Sequence, residues 1–172
     1  ESVIEELKIL KYEYDIEHVM WLDDDFLYDT QESMNLFNSI IKNNLEMTWD
    51  CTNGVIAAAC KDEVIHAARD SGCIGISIGM ESGNREILRK IKKPGTIENF
   101  LKAAEVLKKY EEINTRVCLI IGFPKETEQI VPLRLGLASL WDSVGNKLLA
   151  DWFNPAWRYT LSPGYNLSVL VD

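Results

Sequence analysis

The sequence predicts an α/β fold in which parallel strands alternate with helices. Short apolar strand-like runs are separated by one or two amphipathic helical segments, and such connections require crossovers between parallel strands. Crossovers alone fit either an open doubly wound sheet or part of a (β/α) barrel. Polar residues gather at the same end of each predicted strand, and this convergence favours the partial TIM-type barrel, with about five strands and flanking helices.

The composition indicates one globular domain. The 172 residues, 47% of them hydrophobic, suffice for one core and are too few for two, so residues 1–172 are predicted to form a single domain. A net charge of -9 argues against nucleic acid as a partner. Charged residues interrupt every apolar run before about 18 residues, so we expect no membrane segment. The acidic start, ESVIEE, is unlike a secretory leader, and we expect a cytoplasmic protein.

The first two elements are a helix and a strand. Ser2 is followed three residues later by Glu5, a capping-box pattern that predicts a helix over residues 2–14. Residues 18–22 form a strand that ends in three adjacent aspartates, Asp23, Asp24 and Asp25. Their like charges repel unless a cation or a set of donors meets them, and the alternative is a solvated turn that caps the next helix.

A second helix is predicted over residues 30–43, capped by Asp29 or Thr30. Its inward residues are expected to be Met34, Phe37, Ile40 and Ile41.

Residues 46–51 (EMTWDC) form the next predicted strand, and Thr52 and Asn53 offer small polar groups where it ends. Asp62 is predicted to cap a helix that runs to residue 69, and Gly72 suits its left-handed end.

Residues 73–83 (CIGISIGMESG) contain the strand around which the chain is organised. The branched apolar residues Ile74, Ile76 and Ile78 alternate with small residues. This pattern predicts a strand that is buried on both faces. Glu81 and Ser82 follow at its carboxyl end, where α/β proteins gather ligand groups.

A short basic helix over residues 84–91 comes next, and Thr96 caps an amphipathic helix. The inward residues of that helix are predicted to be Ile97, Phe100, Leu101, Ala104 and Leu107. A strand over residues 116–121 leads into a Gly-Phe-Pro turn. Further on, a helix over residues 132–144 and a strand over residues 157–161 are expected, with tryptophans as core or rim anchors: Trp141, Trp152 and Trp157.

The cysteines and histidines are predicted to be structural. None of the four cysteines forms a pair of the CxxC type, so they are expected to be reduced and mostly buried: Cys51, Cys60, Cys73 and Cys118. His18 and His66 have no partner at ligand or catalytic spacing along the chain.

Four motifs, in order, resemble the radical S-adenosylmethionine superfamily, in particular its methylthiotransferase-like, coproporphyrinogen-dehydrogenase-like and cobalamin-linked branch. They are WLDDDF, TWDCTNG, GCIGISIGMESGNREILRKIKK and IIGFPKET. The resemblance covers residues 2–127, with a weaker match to Tyr165, which stands where the family has a small hydroxyl residue after the turn of residues 162–164.

The resemblance implies a set of cofactor-binding residues. Asp24 and Asp25 stand where the family holds the amino group of S-adenosylmethionine, and Glu81 and Ser82 where it contacts the ribose and methionine portions. Residues 120–123, which include Ile120, Gly122 and Phe123, stand where it holds the adenine, and Thr52 and Asn53 lie nearby. No metal ligand is assigned.

The family's CxxxCxxC loop, which binds a four-iron four-sulfur cluster, has no counterpart in this sequence. The resemblance therefore implies a piece of a longer enzyme that lacks the first barrel strand and its loop, and that is inactive alone. The parent would bind the small-molecule cofactor S-adenosylmethionine and, with the cluster, generate a deoxyadenosyl radical that removes hydrogen from a substrate that the sequence does not identify; a cobalamin domain is compatible with the motifs. An oligomer through the unpaired edge of residues 18–22 is expected.

Two other functions stay open at this point. The chain could be a cluster-free binding or scaffold module with its carboxylates as surface caps. It could also be a magnesium-dependent lyase that uses residues 23–25 and Glu81.

Overall fold

A computed structural model describes residues 2–120, which form a four-stranded sheet with helices on one face. All three strand pairs are parallel and the strands lie side by side in chain order, β1-β2-β3-β4. The predicted α/β class with parallel strands is therefore confirmed. The strands are β1 His18–Met20, β2 Thr48–Val55, β3 Cys73–Glu81 and β4 Asn114–Leu119. The helices are α1 Ser2–Tyr14, α2 Thr30–Lys42, α3 Asp62–Asp70, α4 Arg85–Lys90 and α5 Ile97–Leu107, with one 3-10 turn at Ala57–Ala59.

Side-chain caps fix the starts of two of the long helices. Asp29 caps α2, because its Oδ1 accepts hydrogen bonds from the Gln31 and Glu32 amides at 3.0 and 3.1 Å. Thr96 caps α5, as predicted, and the structure adds a capping box with Asn99 as the reciprocal partner. The predicted cap of α3 is wrong: Asp62 is the first helical residue, and the preceding lysine takes the cap position without a side-chain bond.

The apolar core lies between the helices and one face of the sheet. Trp49 is at its centre, since it is 2% exposed and stacks on Phe37 with ring centroids 5.2 Å apart. The prediction that Ile41 and Leu101 lie in the core is wrong, because these residues are 42% and 38% exposed. In each helix the buried stripe is narrower than the apolar pattern, and these two side chains lie beside it.

The other face of the sheet is polar or glycine-lined, and we call it the polar face. Successive residues of a strand point to opposite faces, and the strand register therefore groups the following side chains on this face. They are His18, Met20, Thr48, Asp50, Gly75, Ser77, Gly79, Arg116 and Cys118.

Bulges explain where the strand predictions fail. Ile74 and Gly75 together oppose Asp50 on β2, so Ile74 is the extra residue and is 43% exposed, contrary to the predicted burial on both faces. A second bulge on β2 lies between Cys51 and Val55. The predicted end of this strand at residue 51 is therefore wrong, because the strand passes through Thr52 and Asn53 and ends four residues later.

The remaining bounds shift by a few residues. β1 ends at Met20, two residues before its predicted end, and β4 begins two residues before its predicted start. Within residues 2–120, the helices are all too short or too polar to cross a membrane. The predicted helix over residues 132–144, the strand over residues 157–161 and the three tryptophan anchors lie outside the described residues.

Candidate functional site

The carboxyl ends of the four strands meet at one edge of the sheet, because all the strands are parallel. We call this the carboxyl edge. It carries the aspartate loop of residues 23–25 after β1, the end of β2 with Ile56, Glu81 at the end of β3 and Ile120 after β4. The prediction that Asp25 and Glu81 lie at the same end of the sheet is confirmed. Gly122 and Phe123, predicted for the same site, lie outside the described residues.

The three adjacent aspartates have different surroundings. Asp23 Oδ1 accepts the Asp25 amide at 3.0 Å and so stabilises the turn. Asp25 Oδ1 accepts the Ile56 amide at 3.2 Å and ties this loop to the end of β2. Asp25 Oδ2 is buried and has no hydrogen-bond partner within the described part of the chain. Asp24 is exposed. The turn interpretation therefore accounts for Asp23, and within residues 2–120 it leaves one buried oxygen of Asp25 without a hydrogen-bond partner.

Glu81 is held in place by a lysine that sequence reasoning missed. Lys93 Nζ lies 2.8 Å from Glu81 Oε1, and both side chains are partly exposed. Gly79 leaves the space for this pair, since a Cβ there would lie 2.9 Å from each of the two charged atoms. Glu81 itself has φ +60°, a left-handed conformation that costs a non-glycine residue about 1–2 kcal/mol. The only hint in the sequence was the basic run that follows the ESG turn.

The other predicted site residues have varied positions. Ser82 is fully buried and its Oγ accepts the Asn84 amide at 3.1 Å, so it stabilises the turn into α4; its cofactor contact stays a prediction. Thr52 Oγ1 donates to Met20 Sδ at 3.2 Å, and Asn53 is exposed on the β2 bulge. The Ile120 amide donates to the Glu81 carbonyl at 2.9 Å, which fastens the residue after β4 to the end of β3.

The thiols of the described residues do not suit metal binding. Cys51, Cys60 and Cys73 are buried, as predicted, and burial raises the pKa of Cys51 and of Cys60 to about 12 and the pKa of Cys73 further. A metal or iron-sulfur cluster requires thiolates, which these sites disfavour. Residues 2–120 also contain no group of three or more histidine, cysteine or acidic side chains placed to hold a metal ion. The magnesium alternative therefore has no ligand set in this part of the chain.

Comparison with protein families gives a match to the radical SAM superfamily over residues 1–133. An uncharacterised methyltransferase of Pyrococcus horikoshii is 32% identical over 142 residues, which cover 83% of this chain and 30% of that protein. The anaerobic magnesium-protoporphyrin IX monomethyl ester cyclase of Rubrivivax gelatinosus is 23% identical over 151 residues, covering 88% of this chain and 26% of that protein. The chain thus spans less than a third of the length of these curated relatives.

Among solved structures, the radical S-adenosylmethionine methyltransferase TsrM from Kitasatospora setae, with cobalamin and an iron-sulfur cluster bound, has the same fold. The TM-score is 0.73 at 19% identity, over 82% of this chain and 28% of that one. This likeness concerns the fold, and it confirms the predicted partial barrel.

Proposed function

The chain belongs to the radical S-adenosylmethionine superfamily, and from this we propose that it is part of the core of a radical enzyme whose carboxyl edge binds S-adenosylmethionine. The observation that carries the proposal is the Glu81 and Lys93 pair, which lies at the same edge of the sheet as the aspartate loop. The amino-acid portion of the cofactor bears both an ammonium and a carboxylate. The carboxyl edge offers acceptors and a donor of matching charge, and of these Glu81 and Lys93 remain partly accessible.

Each group has a task in this proposal. Asp24 and the second oxygen of Asp25 accept hydrogen bonds from the ammonium, which relieves the unsatisfied buried oxygen. Glu81 accepts from the ribose hydroxyls, and Lys93 is shared between Glu81 and the cofactor's carboxylate.

The remaining residues complete the proposed cofactor site. Ile120, Gly122 and Phe123 provide the adenine contacts that the family resemblance implies, while Thr52 and Asn53 lie beside the site on the β2 bulge.

The iron-sulfur cluster is not assigned to residues 2–120, because they contain no group of three or more cysteine, histidine or acidic side chains placed to hold a metal. When bound, such a cluster supplies the electron that splits S-adenosylmethionine in this superfamily. Cobalamin is named for the solved relative, and we assign none of the described residues to it. The role of this chain is to bind and orient S-adenosylmethionine along the carboxyl edge.

Replacing Glu81 by alanine in the intact protein tests the proposal. We expect binding of S-adenosylmethionine to weaken by about 1–3 kcal/mol, the scale of a charge-assisted hydrogen bond, when measured by titration calorimetry. Glu86→Ala is the matched control, since Glu86 is an exposed carboxylate on the nearby α4 and should leave the affinity unchanged. Unchanged affinity for Glu81→Ala would return Glu81 to a structural role.

A second test concerns the cluster. The 172-residue chain, reconstituted anaerobically with iron and sulfide, should bind no stoichiometric cluster, because its three buried thiols lie on separate elements of the core. Iron analysis and visible absorption measure this. A stoichiometric cluster would show that the cysteine assignment is wrong.

A further inference from the structure

A second polar cluster lies on the polar face, at the end of the strands opposite the carboxyl edge. It consists of His18 at the start of β1, Thr48 and Asp50 on β2, and Gly75 on β3. Glu81 lies six positions after Gly75 along β3, which corresponds to roughly 20 Å at the usual rise of a strand. The cluster is therefore too far from Glu81 to share its contacts.

Hydrogen bonds fix the orientation of the His18 ring. Its Nδ1 lies 2.9 Å from Thr48 Oγ1, and that hydroxyl lies 3.3 Å from the carbonyl oxygen of Glu17. Because the hydroxyl hydrogen donates to the carbonyl, the ring donates from Nδ1, and in the neutral form of the ring the lone pair is then on Nε2. Nε2 lies 3.9 Å from Asp50 Oδ2, which is too far for a direct hydrogen bond.

Asp50 is a buried carboxylate whose hydrogen-bonding capacity is not filled. The residue is 8% exposed, and its Oδ1 is buried with no hydrogen-bond partner in the described part of the chain. Among residues 2–120, its one ion-pair neighbour is His18. Gly75 provides the room beside it, because a Cβ at Gly75 would lie 3.0 Å from Asp50 Cβ. A buried acceptor of this kind costs stability unless a donor meets it.

We propose that His18 and Asp50 form a binding site for a primary ammonium group of a ligand. His18 Nε2 and Asp50 Oδ2 lie 3.9 Å apart, close enough for one ammonium nitrogen to contact both, and an ammonium offers three N–H donors and a positive charge that neutralises Asp50. His18 is the accessible side of the site, with 41% of its side chain exposed. The site goes beyond the proposed binding of S-adenosylmethionine and does not depend on it.

The test is a titration of the chain with methylammonium chloride, followed by NMR of the two histidine rings at about pH 8, where an ordinary imidazole is neutral. His66 is the internal control, because its Nε2 also faces a carboxylate, Asp70 at 3.3 Å, but on the exposed surface of α3. We expect the His18 signals to shift and saturate while the His66 signals stay in place. Tetramethylammonium at equal ionic strength, which has no N–H donor, should shift neither ring.

Asp50→Asn keeps the size of the side chain and removes its charge, and it should raise the methylammonium concentration at half-saturation at least tenfold. The proposal would be overturned if methylammonium shifted the NMR signals of both rings equally, or if tetramethylammonium shifted the His18 signals as much as methylammonium does. Either result would mean that the site holds only water. Full retention of binding in Asp50→Asn would also overturn the proposal. The comparison of the two cations uses the unaltered chain and stays decisive if the variant does not fold. Neither outcome bears on Glu81, so this site and the carboxyl edge are tested separately.

Discussion

The two faces of the sheet differ in how completely their groups are satisfied. On the helix side, Trp49 is packed against Phe37 and its indole Nε1 donates to the carbonyl and hydroxyl oxygens of Ser71 at 3.2 and 3.1 Å. On the polar face and at the carboxyl edge, Asp50 and Asp25 each keep a buried oxygen with no hydrogen-bond partner in residues 2–120, and Glu81 has a left-handed backbone. In residues 2–120 the helix side leaves one buried side-chain donor unsatisfied, Trp21 Nε1 beside the core, whereas the other side leaves carboxylate oxygens whose cost a ligand can offset.

The largest loss of stability is expected when the aromatic side chain at the centre of the core is removed. Trp49→Ala should lower the free energy of unfolding by about 3–5 kcal/mol, because it leaves a cavity and removes the stacking partner of Phe37. Urea unfolding followed by circular dichroism measures the loss. Tyr12→Ala removes an aromatic side chain that is 67% exposed and should cost less than about 0.5 kcal/mol. Equal losses in the two variants would contradict the assignment of the core.

The buried thiols give an effect of intermediate size that depends on pH. The pKa of Cys60 rises from 9.0 to about 12 through burial, so the unfolded chain loses this proton first. The stabilisation is complete below pH 9.0 and is lost as the pH rises towards about 12. Above pH 9, each such thiol should therefore lower the free energy of unfolding by about 1.4 kcal/mol per pH unit.

Cys60→Ala should reduce the alkaline slope of stability by that amount, as measured by urea unfolding at several pH values. Cys118→Ala provides the comparison on the polar face, where the pKa of the thiol is also raised by desolvation but to a smaller extent, and it should reduce the slope less. An unchanged slope in Cys60→Ala would show that its thiol is not shielded from water.

The smallest effect is expected from replacing residues that have a left-handed backbone, and it distinguishes backbone strain from a role in cofactor binding. Lys92 and Glu81 both have positive φ, +54° and +60°, and glycine adopts this conformation without the steric cost. Lys92→Gly should stabilise the fold by up to about 1 kcal/mol in urea unfolding. Glu81→Gly should change stability little, because it also removes the ion pair with Lys93, but it should weaken cofactor binding. A loss of stability above about 2 kcal/mol in Glu81→Gly would indicate a mainly structural residue.

Periodicity and caps were sufficient to predict most of the described fold. The helix over residues 2–14 has its predicted bounds, and Asp29 and Thr96 cap the helices that their patterns indicated. The errors at Ile41 and Leu101 have a common cause: an apolar pattern shows which side of a helix faces inward but not how wide the buried stripe is.

The sequence predicted at which edge of the sheet the candidate site lies, but not which side chains contact one another there. Strand order and the run of aspartates placed Asp25 and Glu81 at the same end of the sheet. The partner of Glu81, Lys93, depends on the space above Gly79, and the exposure of Ile74 depends on a bulge. The bulge follows from the register of neighbouring strands, and the ion pair from the position of the segment after α4 over β3; periodicity along the chain encodes neither.

The order of the strands has a consequence for how the chain acquires its fold. Each strand pairs with the strand that precedes it along the chain, β2 with β1, β3 with β2 and β4 with β3. During synthesis from the amino terminus, every newly emerged strand therefore finds its partner already outside the ribosome. The sheet can grow one strand and one helix at a time, so that nascent chains need not wait for a distant segment before they begin to bury apolar surface.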